Sequence, residues 1–185
     1  MCKPFSLLIL SLAILVVARA NADPSAPKLA NVGRHATSAE LQVLNISVMP
    51  NGEGLPEGTG TPLEGKEIYR AQCASCHGDN GEGKPEFPVL VGGRDSLASA
   101  TPVLTVGSYW PYATTIFDYV RRAMPYATPG SLTNNEVYAV TAWLLYLNGV
   151  VKEEAVLNRD TLAKVRMPNR DGFVPDSRPD VKAKR

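Results

Sequence analysis

Cys73-Ala74-Ser75-Cys76-His77 decides how this chain is read. Two cysteines separated by two residues and followed at once by histidine form the attachment pattern of a c-type haem. The chemistry requires that spacing. Each thiol adds across one vinyl group of the porphyrin, and one helical turn sets the sulfurs at the vinyl separation. The next residue then points its imidazole at the iron. Without the histidine, the cysteine pair would equally suit a dithiol redox couple or half a zinc site. Zinc would need two more ligands, and the only other cysteine and histidine are Cys2 and His35. The motif occurs once, so the expectation is one covalently attached haem held by Cys73, Cys76 and His77.

The N-terminus bears on the same question. Lys3 gives a positive start, Leu7 to Ala18 is apolar apart from Ser11, and Ala20-Asn21-Ala22 has the small-x-small form of a cleavage site. Residues 1–22 therefore read as an export signal cut near Ala22/Asp23, not as a permanent membrane anchor. Attachment of this haem type occurs outside the bacterial cytoplasm, so a periplasmic location is expected. Losing Lys3 and Arg19 would reduce 19 basic residues to 17 against 18 acidic ones. A balance so close to neutral gives no case for nucleic acid or a membrane surface.

Residues 23–61 hold little periodicity and many breakers, and read as an extended arm lying over the domain or over a partner. Thr37-Ser38-Ala39-Glu40 has the pattern that caps a short helical turn. Leu41 to Val48 is the one apolar alternation, expected as extended chain or a single strand. From Pro62 the pattern is helical, with Gly65, Tyr69 and Cys73 on one face. A second short helix around Ile116–Val120 should stop before Met124-Pro125. The strongest helix opens at the capping box of Thr133 and Glu136, buries a stripe of Val137, Val140, Trp143, Leu144 and Leu147, and closes at Asn148-Gly149. Residues 62–150 thus form an all-α haem domain. Residues 151–185 read as a C-terminal tail, with a short helix between Glu153 and Leu162 and a role in partner docking.

The sixth iron ligand decides whether such a haem carries electrons or binds small molecules. Met49, Met124, Met167 and His35 are the candidates. Met124 follows a helix and precedes a proline that holds it extended, so its thioether is the expected distal ligand. Met49 and Met167 read as ordinary apolar filler, and His35 as a surface residue. Tyr109, Trp110 and Tyr112 suit a haem edge and a protein core about equally, and Arg121 and Arg122 suit a solvated helix face.

Residues 62–149 resemble class I cytochrome c over nearly the whole of that domain. The resemblance implies that Gly65 meets Trp143 where the first and last helices cross, and that the Pro88 carbonyl accepts a hydrogen bond from His77. It further implies that Leu90 packs on the haem, that Arg94 sits near a propionate, and that Met124 is the distal ligand. Met49 to Pro56, Thr105 to Thr115, Arg121 to Pro125 and Val165 to Phe173 are similar to the cytochrome subunits of bacterial sulfite dehydrogenases. They are similar as well to the cytochrome subunit of the sulfur dehydrogenase of the thiosulfate-oxidising system. That subunit has two haems, so the single motif here favours the sulfite type. The implied partners are a molybdenum-cofactor sulfite dehydrogenase as donor and a later cytochrome c or oxidase as acceptor. The chain itself would be a carrier or a non-catalytic subunit. A general diffusible cytochrome and an open-site ligand-binding haem protein are the competing readings.

Overall fold

The computed structural model describes residues 33–175 and Arg178; the expected export signal lies outside the described residues. The chain divides at Leu44 into two units. In the first unit, Thr37 and Glu40 exchange hydrogen bonds, Glu40 N–H donating to Thr37 Oγ1 at 3.3 Å and Thr37 N–H to the Glu40 carboxylate at 2.8 Å. This reciprocal cap starts helix α1, Ser38–Leu44. The alternation expected to lie extended from Leu41 is therefore helical over its first half, because the cap supplies the nucleus that periodicity alone did not reveal.

The second unit holds the helices expected between residues 62 and 150. Helix α2, Pro62–Gln72, begins at Thr61, which forms a capping box with Glu64, and has proline in its first turn. Helix α3, Ala74–His77, is a single turn that carries the attachment motif. Helix α4 spans Ala113–Ala123 and helix α5 spans Asn134–Leu147. Two short strands, β1 at Thr59–Gly60 and β2 at Leu157–Asn158, pair antiparallel, and a 3₁₀ turn covers Leu162–Lys164. Among the described residues the architecture is all-α apart from that one strand pair. Among the described residues, no helix is long and apolar enough to cross a membrane.

Helix α5 is the axis of the core. The sequence predicts a one-sided stripe, but every residue from Val137 to Leu145 is buried while Leu147 is only half-buried. A helix buried all round needs cover on every side. Helix α2 provides one side and α4 another, with the Phe117 and Tyr138 rings 4.5 Å apart. The residues before Pro62 provide a third. Tyr138 O–H donates to the Pro56 carbonyl at 2.9 Å, Asn134 Nδ2 to the Glu57 carbonyl at 3.1 Å, and Thr59 N–H to Asn135 Oδ1 at 2.9 Å. A side chain at Gly60 would strike the Ala139 backbone at 2.2 Å. The stretch expected as an arm is thus part of the wall from Val48 to Gly60, with Val48 and Leu55 in the core.

The residues after Val151 are built in likewise. Leu157, Leu162 and Met167 are buried core residues, and Arg159, the residue after β2, pairs with Glu57 ahead of β1. The helix expected between Glu153 and Leu162 is replaced by a turn and β2. Asp160 and Thr161 N–H donate to Asn158 Oδ1, and Asn158 N–H donates to Thr161 Oγ1. Such local side-chain bonds offer the backbone an alternative to helix. Met167 is core filler as expected, whereas Met49 is half-exposed on the surface.

Asp118 ties the wall to α4. It is 8% exposed, accepts a 3.0 Å hydrogen bond from Val48 N–H and pairs with Arg122. Arg121 donates to the Ile46 carbonyl at 3.3 Å. The two arginines thus face neighbouring groups of this chain in addition to solvent. Asp118→Ala would leave a buried N–H without an acceptor, a loss of about 1–3 kcal/mol. The expected outcome is an earlier denaturation midpoint together with faster hydrogen exchange at the Val48 amide.

Candidate functional site

The attachment segment forms where α2 ends. Cys73 closes α2 with its N–H on the Tyr69 carbonyl, and the Cys76 and His77 N–H groups both donate to the Cys73 carbonyl, at 3.1 and 3.0 Å. The motif is thereby wound into one turn, as its spacing requires. Gly78 stops it at φ 81°, a left-handed conformation that favours glycine. The following loop returns to the motif at several points. Tyr69 O–H donates to the Gly78 carbonyl at 2.9 Å, Gly83 N–H donates to the His77 carbonyl at 2.7 Å, and Leu90 N–H donates to the Gly81 carbonyl at 2.7 Å. Burial pushes the Tyr69 hydroxyl well above its ordinary pKa, so it stays a donor.

Burial, with a smaller contribution from Cys76, pushes the Cys73 thiol up to about 11. Dithiol redox pairs work the other way, with a thiolate stabilised by its surroundings. Neither Cys73 nor Cys76 is in a disulfide. Among the described residues, no group of three or more histidines, cysteines or carboxylates could hold a metal ion. A Cys73 thiol held neutral by burial, with Cys76 and one histidine beside it, suits thioether formation and suits neither a redox couple nor zinc.

His77 is oriented from the far side of the loop. Its Nδ1 lies 3.0 Å from the Pro88 carbonyl, the contact that the resemblance implies. With Nδ1–H donated there, Nε2 is left as the unprotonated nitrogen that a metal requires. The Phe87 ring stands edge-on to the imidazole at 6.5 Å. Met124 is the C-cap of α4, extended at φ −123° and ψ 148°, with its N–H on the Val120 carbonyl. Its side chain is half-buried and packs against the same hydrophobic cluster as Cys73, Leu90 and Trp110. His35 is exposed.

Arg94 is exposed, and its Nη2 donates to the Asn148 carbonyl at 2.9 Å. It borders two adjoining cavities of about 110 and 260 Å³ that also share Gly107. Asn148, which the sequence suggests only as a helix end, is a junction. Its Nδ2 donates to the Leu90 and Leu144 carbonyls and its Oδ1 accepts from Gly92 N–H. No sequence signal sets such an asparagine apart from an ordinary cap. Tyr109 and Tyr112 are held by the C-terminal segment: Asn169 Nδ2 donates to the Tyr109 carbonyl at 2.7 Å, and the Arg170 guanidinium lies 4.5 Å over the Tyr112 ring.

The cytochrome c family profile matches residues 62–148. The sulfane dehydrogenase SoxCD from Paracoccus pantotrophus is similar in structure, with a TM-score of 0.76 and 43% identity over 82% of this chain and 74% of that one. The thiosulfate dehydrogenase of Stutzerimonas stutzeri (strain A1501) is 32% identical over 94 residues, 48% of this chain but 28% of that relative. The chain therefore spans little more than a quarter of that relative's length. This chain belongs to the cytochrome c family. It has the class I fold and carries covalently bound haem c, and the thiols and imidazole described above fit that group. Bound haem supplies one-electron exchange at iron, and the chain holds a cytochrome c electron-transfer domain related to proteins of sulfur-compound oxidation.

Proposed function

We propose that the chain is a periplasmic monohaem cytochrome c that accepts electrons one at a time from a molybdenum-cofactor sulfite dehydrogenase and passes them to a later cytochrome or oxidase. In this reading Cys73 and Cys76 attach the haem, and His77 and Met124 are the axial ligands. Pro88 orients His77, while Leu90 and Arg94 border the haem. A filled sixth position leaves no site for substrate, so the chain itself performs no bond chemistry. It sets the potential and the route of the electron.

One observation carries the choice of a sulfur-compound donor over a general carrier. The likeness to the sulfane dehydrogenase covers 82% of this chain, whereas the common cytochrome c domain ends at 62 and 148. The likeness thus reaches beyond that domain into flanking residues. A general carrier needs no such additions. The names of the two relatives also support a second donor class, a sulfane- or thiosulfate-oxidising dehydrogenase.

Stopped-flow reduction of the oxidised protein tests this. Sulfite or thiosulfate would be added with and without the molybdenum dehydrogenase from the same source. Rapid haem reduction only with sulfite and enzyme together is the expected result. Reduction with thiosulfate and not sulfite would favour the second donor class, reduction by sulfite alone would place chemistry at this haem, and no reduction at all would overturn both donors.

A further inference from the structure

The loop between His77 and Pro88 is fixed at its base and exposed at its tip. Gly83 N–H is bound to the His77 carbonyl and Leu90 N–H to the Gly81 carbonyl. A side chain at Gly83 would meet Val89 N at 2.8 Å, so the two strands of the loop touch there. Beyond Gly83 the chain leaves the surface. Lys84 and Phe87 bind each other through Lys84 N–H to Phe87 O at 3.2 Å and Phe87 N–H to Lys84 O at 2.9 Å, and residues 84–88 are all exposed. This tight turn brings two groups to the imidazole, the Phe87 ring edge-on at 6.5 Å between centroids and the Pro88 carbonyl at hydrogen-bond distance. An exposed turn of this kind frays unless a side chain ties it down.

Lys84 supplies the tie. Its ammonium donates to the Ser75 carbonyl at 2.5 Å. Ser75 is in the middle of the attachment motif, and the carbonyls of a helix's last turn lack partners within the helix. A lysine at a helix C-terminus satisfies such a carbonyl and is favoured by its partial negative charge. The bond thus joins the turn that carries the Pro88 acceptor to the segment that carries the imidazole donor. We propose that Lys84 is a positioning residue for the axial histidine, holding the Pro88 carbonyl on His77 Nδ1–H and so fixing the tautomer, rotation and basicity of the iron ligand. The inference rests on His77 being that ligand.

The reduction potential alone is a poor test, because two effects oppose each other. Losing the Lys84 charge favours ferric iron, whereas a weaker bond from His77 to Pro88 makes the imidazole a poorer donor and favours ferrous iron. Solvent exchange of the His77 Nδ1 proton separates them. It would be followed by NMR on the holoprotein and on Lys84→Met, Lys84→Arg and Lys152→Met, the last removing an equal charge from another exposed position. Lys84→Met is expected to speed exchange by about tenfold, the equivalent of one lost hydrogen bond. Lys84→Arg should restore slow exchange, and Lys152→Met should leave it unchanged. Lys84→Gln gives the same direction should the methionine variant lose haem during maturation. Equal exchange in wild type and Lys84→Met, or acceleration by Lys152→Met as well, would overturn the assignment. A ferric wild-type spectrum without a hyperfine-shifted His77 ring signal would instead overturn the ligand reading on which it rests.

Discussion

Met124→Ala is expected to turn a six-coordinate, low-spin haem protein into one that binds carbon monoxide on reduction without denaturant. Met124 sits where α4 has just ended, and its extended backbone releases the side chain from the helix. It is half-buried against the core cluster, while two residues on Tyr126 is 82% exposed. A thioether ligand stabilises ferrous iron and raises the potential. Axial ligation as a whole tunes haem potentials over a range of roughly 0.8 V, so removing one ligand should lower the potential by hundreds of millivolts on the order of that scale. The competing view of Met124 as packing makes a different forecast. Truncating a half-buried methionine that only fills space costs on the order of 2 kcal/mol or less, and the visible spectrum stays low-spin. Absorption spectra of the two oxidation states, with and without carbon monoxide, decide between them. An unchanged spectrum would remove Met124 from the site and favour another sixth ligand.

The parts of this fold that sequence made legible are those set by short-range chemistry. Thr37 with Glu40 and Thr133 with Glu136 are caps in sequence and in structure, because each needs only four residues to be right. The attachment segment is legible for the same reason. The terminal segments were not, since their role depends on partners far along the chain. Val48 meets Asp118, Pro56 meets Tyr138 and Thr59 meets Asn158, and nothing local in either member announces the other. Without those pairings the extra residues read as arms laid over the domain or over a partner, with no contact assigned. Met167 makes the consequence concrete: it is 1% exposed, so a truncation before it would remove core as well as tail. The same limit explains Lys84. A lysine in an exposed glycine-rich loop has no pattern, and its contact with Ser75 exists only once Gly78, Gly81 and Gly83 have folded the loop back.

The second large effect is expected at Gly65, where a single added methyl group should cost more than its chemistry suggests. In an ordinary exposed helix position, glycine to alanine stabilises by up to about 1 kcal/mol, since alanine has the higher helix propensity. At Gly65 of α2 that gain meets a steric obstacle. A Cβ there would lie 1.9 Å from the Ala139 carbonyl oxygen, 2.4 Å from its carbon and 2.9 Å from Trp143 Cβ. Two of these three atoms are backbone of a helix that is buried on every side, so neither can yield by a change of rotamer. The helices must separate instead, opening gaps around Tyr69 and Trp143. Overpacking costs roughly 1–3 kcal/mol where side chains can adjust, and here they cannot. The net loss for Gly65→Ala should therefore reach about 3 kcal/mol, enough to lower Tm by roughly 6–12 °C in a domain of this size. Thermal unfolding of the holoprotein, followed at a haem band, measures it. A rise in Tm would show that α2 and α5 do not meet at Gly65. A fall of the expected size would mean that the crossing placing Cys73 at the end of α2 depends on one residue having no side chain.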